Sequence, residues 1–116
     1  LTVGDVFADF MVNPLRAGGV DPSDVMIVAA DGFPSAYSRI RKGDYQVVTI
    51  PQPHTELAYQ AVDELNRAFN GAPASGYAPD VYIVEKSNVD LYGGDQNMFT
   101  PDNNFADHYL SIWTGE

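Results

Sequence analysis

The stretch Val25-Met26-Ile27-Val28-Ala29-Ala30 is a continuous apolar run, and Asp31-Gly32 follows directly at its end. A run of this kind, in which apolar and polar residues do not alternate, is typical of a strand buried on both faces in a parallel sheet. Asp and Gly are common turn formers, so the chain is expected to turn where the run ends. The stretch therefore indicates an α/β protein.

Helix and strand patterns alternate on both sides of this strand. Upstream, Asp5 suits the N-cap of a helix that runs to about Gly18 and is bent or interrupted at Pro14. Downstream, the patterns predict a short helix, a strand, a long helix and a third strand at residues 34–42, 45–50, 55–70 and 81–84. This order predicts a three-layer αβα architecture with a mostly parallel sheet. Residues 88–104 have the composition of an ordered loop, and residues 103–113 the pattern of a terminal helix.

The composition limits the possible partners. The 116 residues include 16 acidic and 6 basic side chains, so the net charge is −10. Nucleic acids are polyanions that need Lys and Arg to displace their counterions, and an anionic membrane would also repel this surface. No apolar run approaches the roughly 18 residues of a membrane span. The length suits one modest domain, and because the chain opens on Leu1-Thr2-Val3 without Met we expect a piece of a larger protein.

Candidates for catalysis and metal binding are few. The absence of Cys excludes disulfides, cysteine nucleophiles and thiolate metal sites. His54 and His108 are the only histidines and lie far apart in the sequence, so no zinc site is expected. The polar residues of the C-terminal loop lack the spacing of a calcium-binding loop; they are Asp90, Asp95, Asn97 and Asp102. With neither a nucleophile elbow nor a phosphate-binding glycine loop, we expect no enzyme, no metal and no cofactor.

Four short motifs follow one another in an order and spacing that are more specific than any one of them. They are Ala30-Asp31-Gly32, Ile40-Arg41-Lys42-Gly43, Thr49-Ile50-Pro51-Gln52 and Tyr59-Gln60-Ala61-Val62. Over about residues 3–86 the chain resembles the C-terminal region of the ribose-type periplasmic sugar-binding proteins. The resemblance implies the two-lobed type I periplasmic binding protein fold, with ligand held in the cleft between the lobes.

The same resemblance implies how the chain is divided and what it does. Residues 1–50 would belong to the second lobe, residues 51–54 would be a hinge crossing, and residues 55–86 would return toward the first lobe. Residues 87–116, a loop and a short helix, have no counterpart in the family pattern. The implied function is the solute-binding component of an ABC importer, which binds a sugar or polyol and docks on the transporter permease. The implied location is the periplasm or the exterior of the cell envelope, as a secreted protein or a lipoprotein.

Four residues are candidates for ligand contact. In the family, the residues that match Asp31 and Gln52 form hydrogen bonds with sugar hydroxyls, and both follow predicted strands, where ligands of open α/β sheets bind. A family Asn-Asp pair aligns with Gly4-Asp5, so Asp5 is either a ligand contact or only a helix cap. Phe33 either stacks on the sugar or is buried beneath the loop. Without a ligand, Asp31 would be an ordinary turn residue and Gln52 a hinge residue that bonds only backbone.

Two further expectations concern function and assembly. The alternative function is the effector-binding domain of a lactose-repressor-like transcription regulator, which shares this fold. Such regulators more often have Asp-Asp where this chain has Asp31-Gly32, and Arg41-Lys42-Gly43-Asp44-Tyr45 favours transport. If the chain is a piece of a two-lobed protein, its apolar strands and helices lack some of their neighbours. Exposed strand edges recruit other chains, so the 116 residues are expected to form a homodimer.

Overall fold

The computed structural model describes residues 1–115. Within them are five helices and three strands: α1 Asp5–Ala17, β1 Ile27–Asp31, α2 Pro34–Lys42, β2 Gln46–Pro51, α3 His54–Phe69, β3 Val84–Glu85, α4 Val89–Gly93 and α5 Phe105–Thr114. The chain divides into two compact units. The sheet unit comprises Leu1–Gln52 and Val81–Phe99, and the helical unit comprises Pro53–Asp80 and the described residues from Thr100 onward.

The α/β class predicted from the sequence is confirmed in the sheet unit, which is a small mixed α/β structure. The strand order is β1-β2-β3, and β1 and β2 are parallel, with Ile27 opposite Gln46 and Asp31 opposite Pro51. The crossover is α2, which begins with Pro34 and ends at Gly43 in the left-handed conformation (φ 69°). The backbone amide of Thr2 donates to Val28 O at 2.9 Å, so the N-terminal segment lies beside β1.

The prediction of a third parallel strand at residues 81–84 is wrong. Only Val84 and Glu85 pair with β2, and they do so antiparallel. Asn88 closes the turn after β3, where its Oδ1 accepts from the Glu85 amide at 2.8 Å and its Nδ2 donates to Ile83 O at 3.0 Å. Val81 and Ile83 are exposed, so they do not extend a buried strand. Tyr82 packs instead in an aromatic cluster with Tyr92 and Phe99.

Two apolar clusters form the core of the sheet unit. The first contains Ala8, Val12, Ile27 and Tyr45. The second contains Tyr37, Ile40, Val84, Val89 and Phe99. Residues 88–104, expected to be a loop, include the short helix α4, which Arg41 fixes to α2 by donating to Asp90 Oδ1 at 2.6 Å and to Gly94 O at 2.8 Å. The first helix continues across Pro14 as far as Ala17.

The helical unit packs α3 against α5. Tyr59 stacks on Trp113 with ring centroids 5.6 Å apart and meets Phe105 edge-on at 5.4 Å. The spacing of apolar residues predicts a buried face of α3 formed by Ala58, Ala61, Val62, Leu65 and Phe69. This prediction is wrong for the last three, since Val62, Leu65 and Phe69 are exposed. No helix in the described part of the chain is both long enough and apolar enough to cross a membrane.

Candidate functional site

Asp31 and Gln52 lie side by side at the carboxyl ends of the two parallel strands. Gln52 Nε2 donates to Asp31 Oδ1 at 3.1 Å, and the Gln52 backbone amide donates to Asp31 O at 3.2 Å. Gln52 is exposed and Asp31 is partly buried. The second carboxylate oxygen of Asp31 makes no side-chain bond within residues 1–115. The pair therefore presents carboxylate and amide groups, both able to bond hydroxyls, at one edge of the sheet.

Asp31 has a strained backbone. Its φ is 99°, a region that residues with a Cβ rarely adopt, although Asp is among the more tolerant types. Gly32 follows with φ 77°, and a Cβ at that position would lie 2.6 Å from the Cβ of Pro51. Only glycine fits so close to the end of β2. Strain of this kind costs about 1–3 kcal/mol and is concentrated at functional sites, which makes the turn a candidate site.

Gly4 makes room for the Asp31 carboxylate. A Cβ built on Gly4 would lie 2.5 Å from Asp31 Oδ2, so any larger residue would displace that oxygen. The resemblance identified Gly4 as a departure from the family pattern, which has Asn there. In this chain the space that an Asn side chain would fill is occupied by Asp31.

Asp5 lies beneath the turn and is completely buried. Its Oδ2 accepts from the amides of Gly32 and Phe33 at 2.8 and 2.9 Å and from Thr49 Oγ1 at 2.8 Å. Its Oδ1 accepts from Gln46 Nε2 at 2.6 Å. Gly4, and not Asp5, is the N-cap of α1. Because both oxygens bind groups of the protein, Asp5 positions the turn that carries Asp31.

Gln46 connects the Asp5 carboxylate to a nearby cation, Arg39. Gln46, also completely buried, accepts from Arg39 Nε at 2.9 Å while it donates to Asp5. Arg39 pairs in turn with Asp9. A buried carboxylate is tolerated when hydrogen bonds and a nearby cation compensate it. Sequence reasoning missed this network because its members come from α1, α2 and β2.

Two aromatic side chains reach the surface on the segments around this edge. Phe33 is 38% exposed, so it is not buried beneath the loop, and Phe7 is about half exposed. Phe7 also borders an open apolar depression of about 570 Å³, together with Leu1, Thr2, Val3, Ala29, Ala30 and Ile50. An exposed aromatic face suits the C–H surface of a sugar.

Tyr37 is buried next to the turn. Its hydroxyl has no hydrogen-bond partner among residues 1–115, and it would lie 3.5 Å from a Cβ placed on Gly32. Burial, with a further contribution from the Asp5 carboxylate, raises the pKa of Tyr37 to about 12, so the phenol stays neutral.

Nothing in the described part of the chain resembles a metal centre, since no three His, Cys, Asp or Glu side chains converge there. The comparisons with known proteins assign no family. No protein-family model matches the chain. No curated protein matches it either.

Proposed function

We propose that the chain is the C-terminal part of the solute-binding component of an ABC importer and that it binds a sugar or polyol. The observation that carries the proposal is the juxtaposition of Asp31 and Gln52, whose side chains are 3.1 Å apart at the ends of adjacent parallel strands. Ligands of open α/β sheets bind at that edge. The resemblance of the sequence motifs to the ribose-type proteins implies ligand contacts at the same two residues.

The chemistry of the pair fits a neutral ligand with several hydroxyls. A carboxylate accepts two or more hydrogen bonds, and an amide both accepts and donates. Adjacent hydroxyls of a sugar could replace the bond between Gln52 and Asp31 with bonds to each side chain. In this proposal Asp5 holds the Gly32 and Phe33 amides in place without touching the ligand, and Phe33 offers an aromatic face.

The two-lobed architecture is part of the proposal. Ligand would bind between the second lobe, represented by residues 1–50, and a first lobe to which residues 55–86 return. Closure about a hinge that includes residues 51–54 would complete the site, and the permease would recognise the closed form. Such a protein works in the periplasm or on the exterior of the cell envelope. Half of the cleft would then be missing from these 116 residues, which should bind no sugar tightly.

A ligand screen on the complete protein that contains this sequence tests the proposal. Thermal unfolding would be followed with pentoses, hexoses and polyols, each alone. A true ligand at about 100 times its dissociation constant should add roughly 2.7 kcal/mol of stability. Uptake of that compound by cells with and without the protein then distinguishes an importer component from a sugar-responsive regulator. The absence of any stabilising sugar or polyol would contradict the proposal.

A further inference from the structure

The helical unit contains a cavity that the proposed sugar site does not use. It measures about 180 Å³, far more than the roughly 10–15 Å³ that one water needs. Helices α3 and α5 and the Ser75–Tyr77 segment supply its walls. Phe105, Tyr77, Tyr109 and Ile112 contribute its apolar surface.

Glu56 is a buried carboxylate in this cavity without a cationic partner. Its side chain is only 2% exposed. Its Oε1 accepts from the Tyr77 hydroxyl at 2.6 Å and from Asn103 Nδ2 at 2.9 Å. Its Oε2 makes no hydrogen bond, and Glu56 forms no ion pair, within residues 1–115. Burying a carboxylate that only neutral donors compensate is costly, so the site favours an added positive charge.

Asp63 is a useful comparison because it lines the same cavity and its carboxylate is paired with a cation, Arg67. Arg67 Nε donates to Asp63 Oδ2 at 2.7 Å, and the Trp113 indole donates to Asp63 Oδ1 at 3.1 Å. Arg67 is therefore already paired within its own helix. His108 is the other basic side chain of the wall.

Tyr109 also lines the cavity. The residue is 7% exposed, and its hydroxyl makes no hydrogen bond to residues 1–115. Burial raises the pKa of Tyr109, and the nearby carboxylates of Asp63, Glu56 and Glu64 raise it further. The hydrogen bond to Glu56 raises the pKa of Tyr77 to about 12.

We propose that this cavity binds a small organic ammonium ion, with Glu56 as its counter-ion and Tyr109 as a hydrogen-bonding and aromatic wall. A weakly hydrated ammonium gains from aromatic faces as well as from a carboxylate. A divalent metal ion suits the site less well, because no three metal-ligating side chains converge in the described chain. The inference stands independently of the proposed sugar site, which lies in the other unit.

Tetramethylammonium chloride is the direct probe, titrated into the 116-residue protein and followed by NMR of the tyrosine rings and the single Trp113 indole. We expect saturable shifts in these signals. Potassium chloride at equal ionic strength and tert-butanol, an uncharged compound of similar size and shape, should not produce them. Equal shifts from the neutral compound would show that the cavity does not recognise the positive charge. Either this result or the absence of saturation with tetramethylammonium would overturn the proposal.

Glu56→Gln keeps the shape of the side chain and removes its charge, so it should weaken binding about tenfold or more. Asp107→Asn makes the same charge change on α5 at an exposed position outside the cavity and should leave the affinity unchanged. Tyr109→Leu removes the aromatic face and serves if Glu56→Gln fails to fold; it should weaken binding severalfold. Unchanged affinity in Glu56→Gln, or in Tyr109→Leu where that variant is needed, would refute the assignment.

Discussion

Asp5 occupies the first turn of α1, and its carboxylate bonds the neighbouring turn after β1. Four donors from Gly32, Phe33, Gln46 and Thr49 converge on its two oxygens. Because the side chain is completely buried and both oxygens already accept hydrogen bonds from the protein, we expect Asp5 to make no contact with a ligand. We expect Asp5 to contribute to function by fixing the backbone conformation of the turn that carries Asp31.

Replacing Asp5 by Asn should therefore destabilise the protein strongly. The amide NH₂ would face donors wherever it is placed, which leaves at least one buried group unpaired and costs about 1–3 kcal/mol. Urea unfolding followed by circular dichroism measures the loss. Asp24→Asn makes the same change at an exposed position and should stay within about 0.5 kcal/mol of the wild type. Equal stability of the two variants would contradict the role given to Asp5.

The candidate residues were predictable to different degrees. Asp31 and Gln52 follow apolar strands in the sequence, and parallel strands bring their carboxyl ends together, so local pattern was enough to pair them. The positioning role of Asp5 was not predictable, since its partners lie 27 to 44 positions away. The sequence showed Gly4 only as a departure from a family pattern. The structure explains why a glycine is needed there, because the Asp31 carboxylate lies over it.

Most boundaries of the helices and strands follow from the residues at their ends. The short crossover helix begins and ends as predicted, because Pro34 fits the first turn and Gly43 adopts the left-handed conformation after the last. The third strand and the buried face of α3 were not predictable from their own residues. Tyr82 joins an aromatic cluster with Tyr92 and Phe99 instead of extending the strand, and the aromatic residues of α5 select the face of α3 that carries Tyr59.

Two glycines allow the geometry of the turn after β1 to be tested. Gly43→Ala adds a Cβ at positive φ with nothing within 4 Å, so it should cost about 1–2 kcal/mol from backbone strain alone. Gly32→Ala adds the same strain and a Cβ 2.6 Å from Pro51 Cβ. We expect Gly32→Ala to be clearly the more destabilising in urea unfolding. If Gly32→Ala lowers the free energy of unfolding no more than Gly43→Ala does, the turn does not pack closely on β2.

The contact of α3 with α5 should depend on pH through Asp63. The hydrogen bond from Arg67 lowers the pKa of this carboxyl below its ordinary value, although burial opposes the shift. A lowered folded-state pKa stabilises the protein above the unfolded pKa of about 3.9, and that stability is lost as the pH falls through the folded value. The stability difference between wild type and Asp63→Asn, measured by Trp113 fluorescence in urea, should be constant near neutrality and shrink below about pH 4. A difference that does not change with pH would exclude this linkage.

At the scale of the whole molecule, the exposed apolar residues support the expected self-association. Val62, Leu65 and Phe69 on α3 are 52%, 57% and 86% exposed, and such a stripe is unusual on a monomer's surface. We predict that the 116 residues form a dimer at micromolar concentration and that Leu65→Glu with Phe69→Glu dissociates it. Light scattering measures the mass. A stable wild-type monomer near 12.6 kDa would refute the prediction.

Asp31 and Gln52 are proposed to bind the ligand, and calorimetry on the complete protein tests this claim. With the sugar or polyol identified by the thermal screen, Asp31→Ala and Gln52→Ala should each weaken binding by about 1–3 kcal/mol, because each leaves a ligand hydroxyl unpaired. Asp24→Ala, at an exposed position before the start of β1, should bind as the wild type does. Unchanged affinity in both Asp31→Ala and Gln52→Ala would contradict the claim.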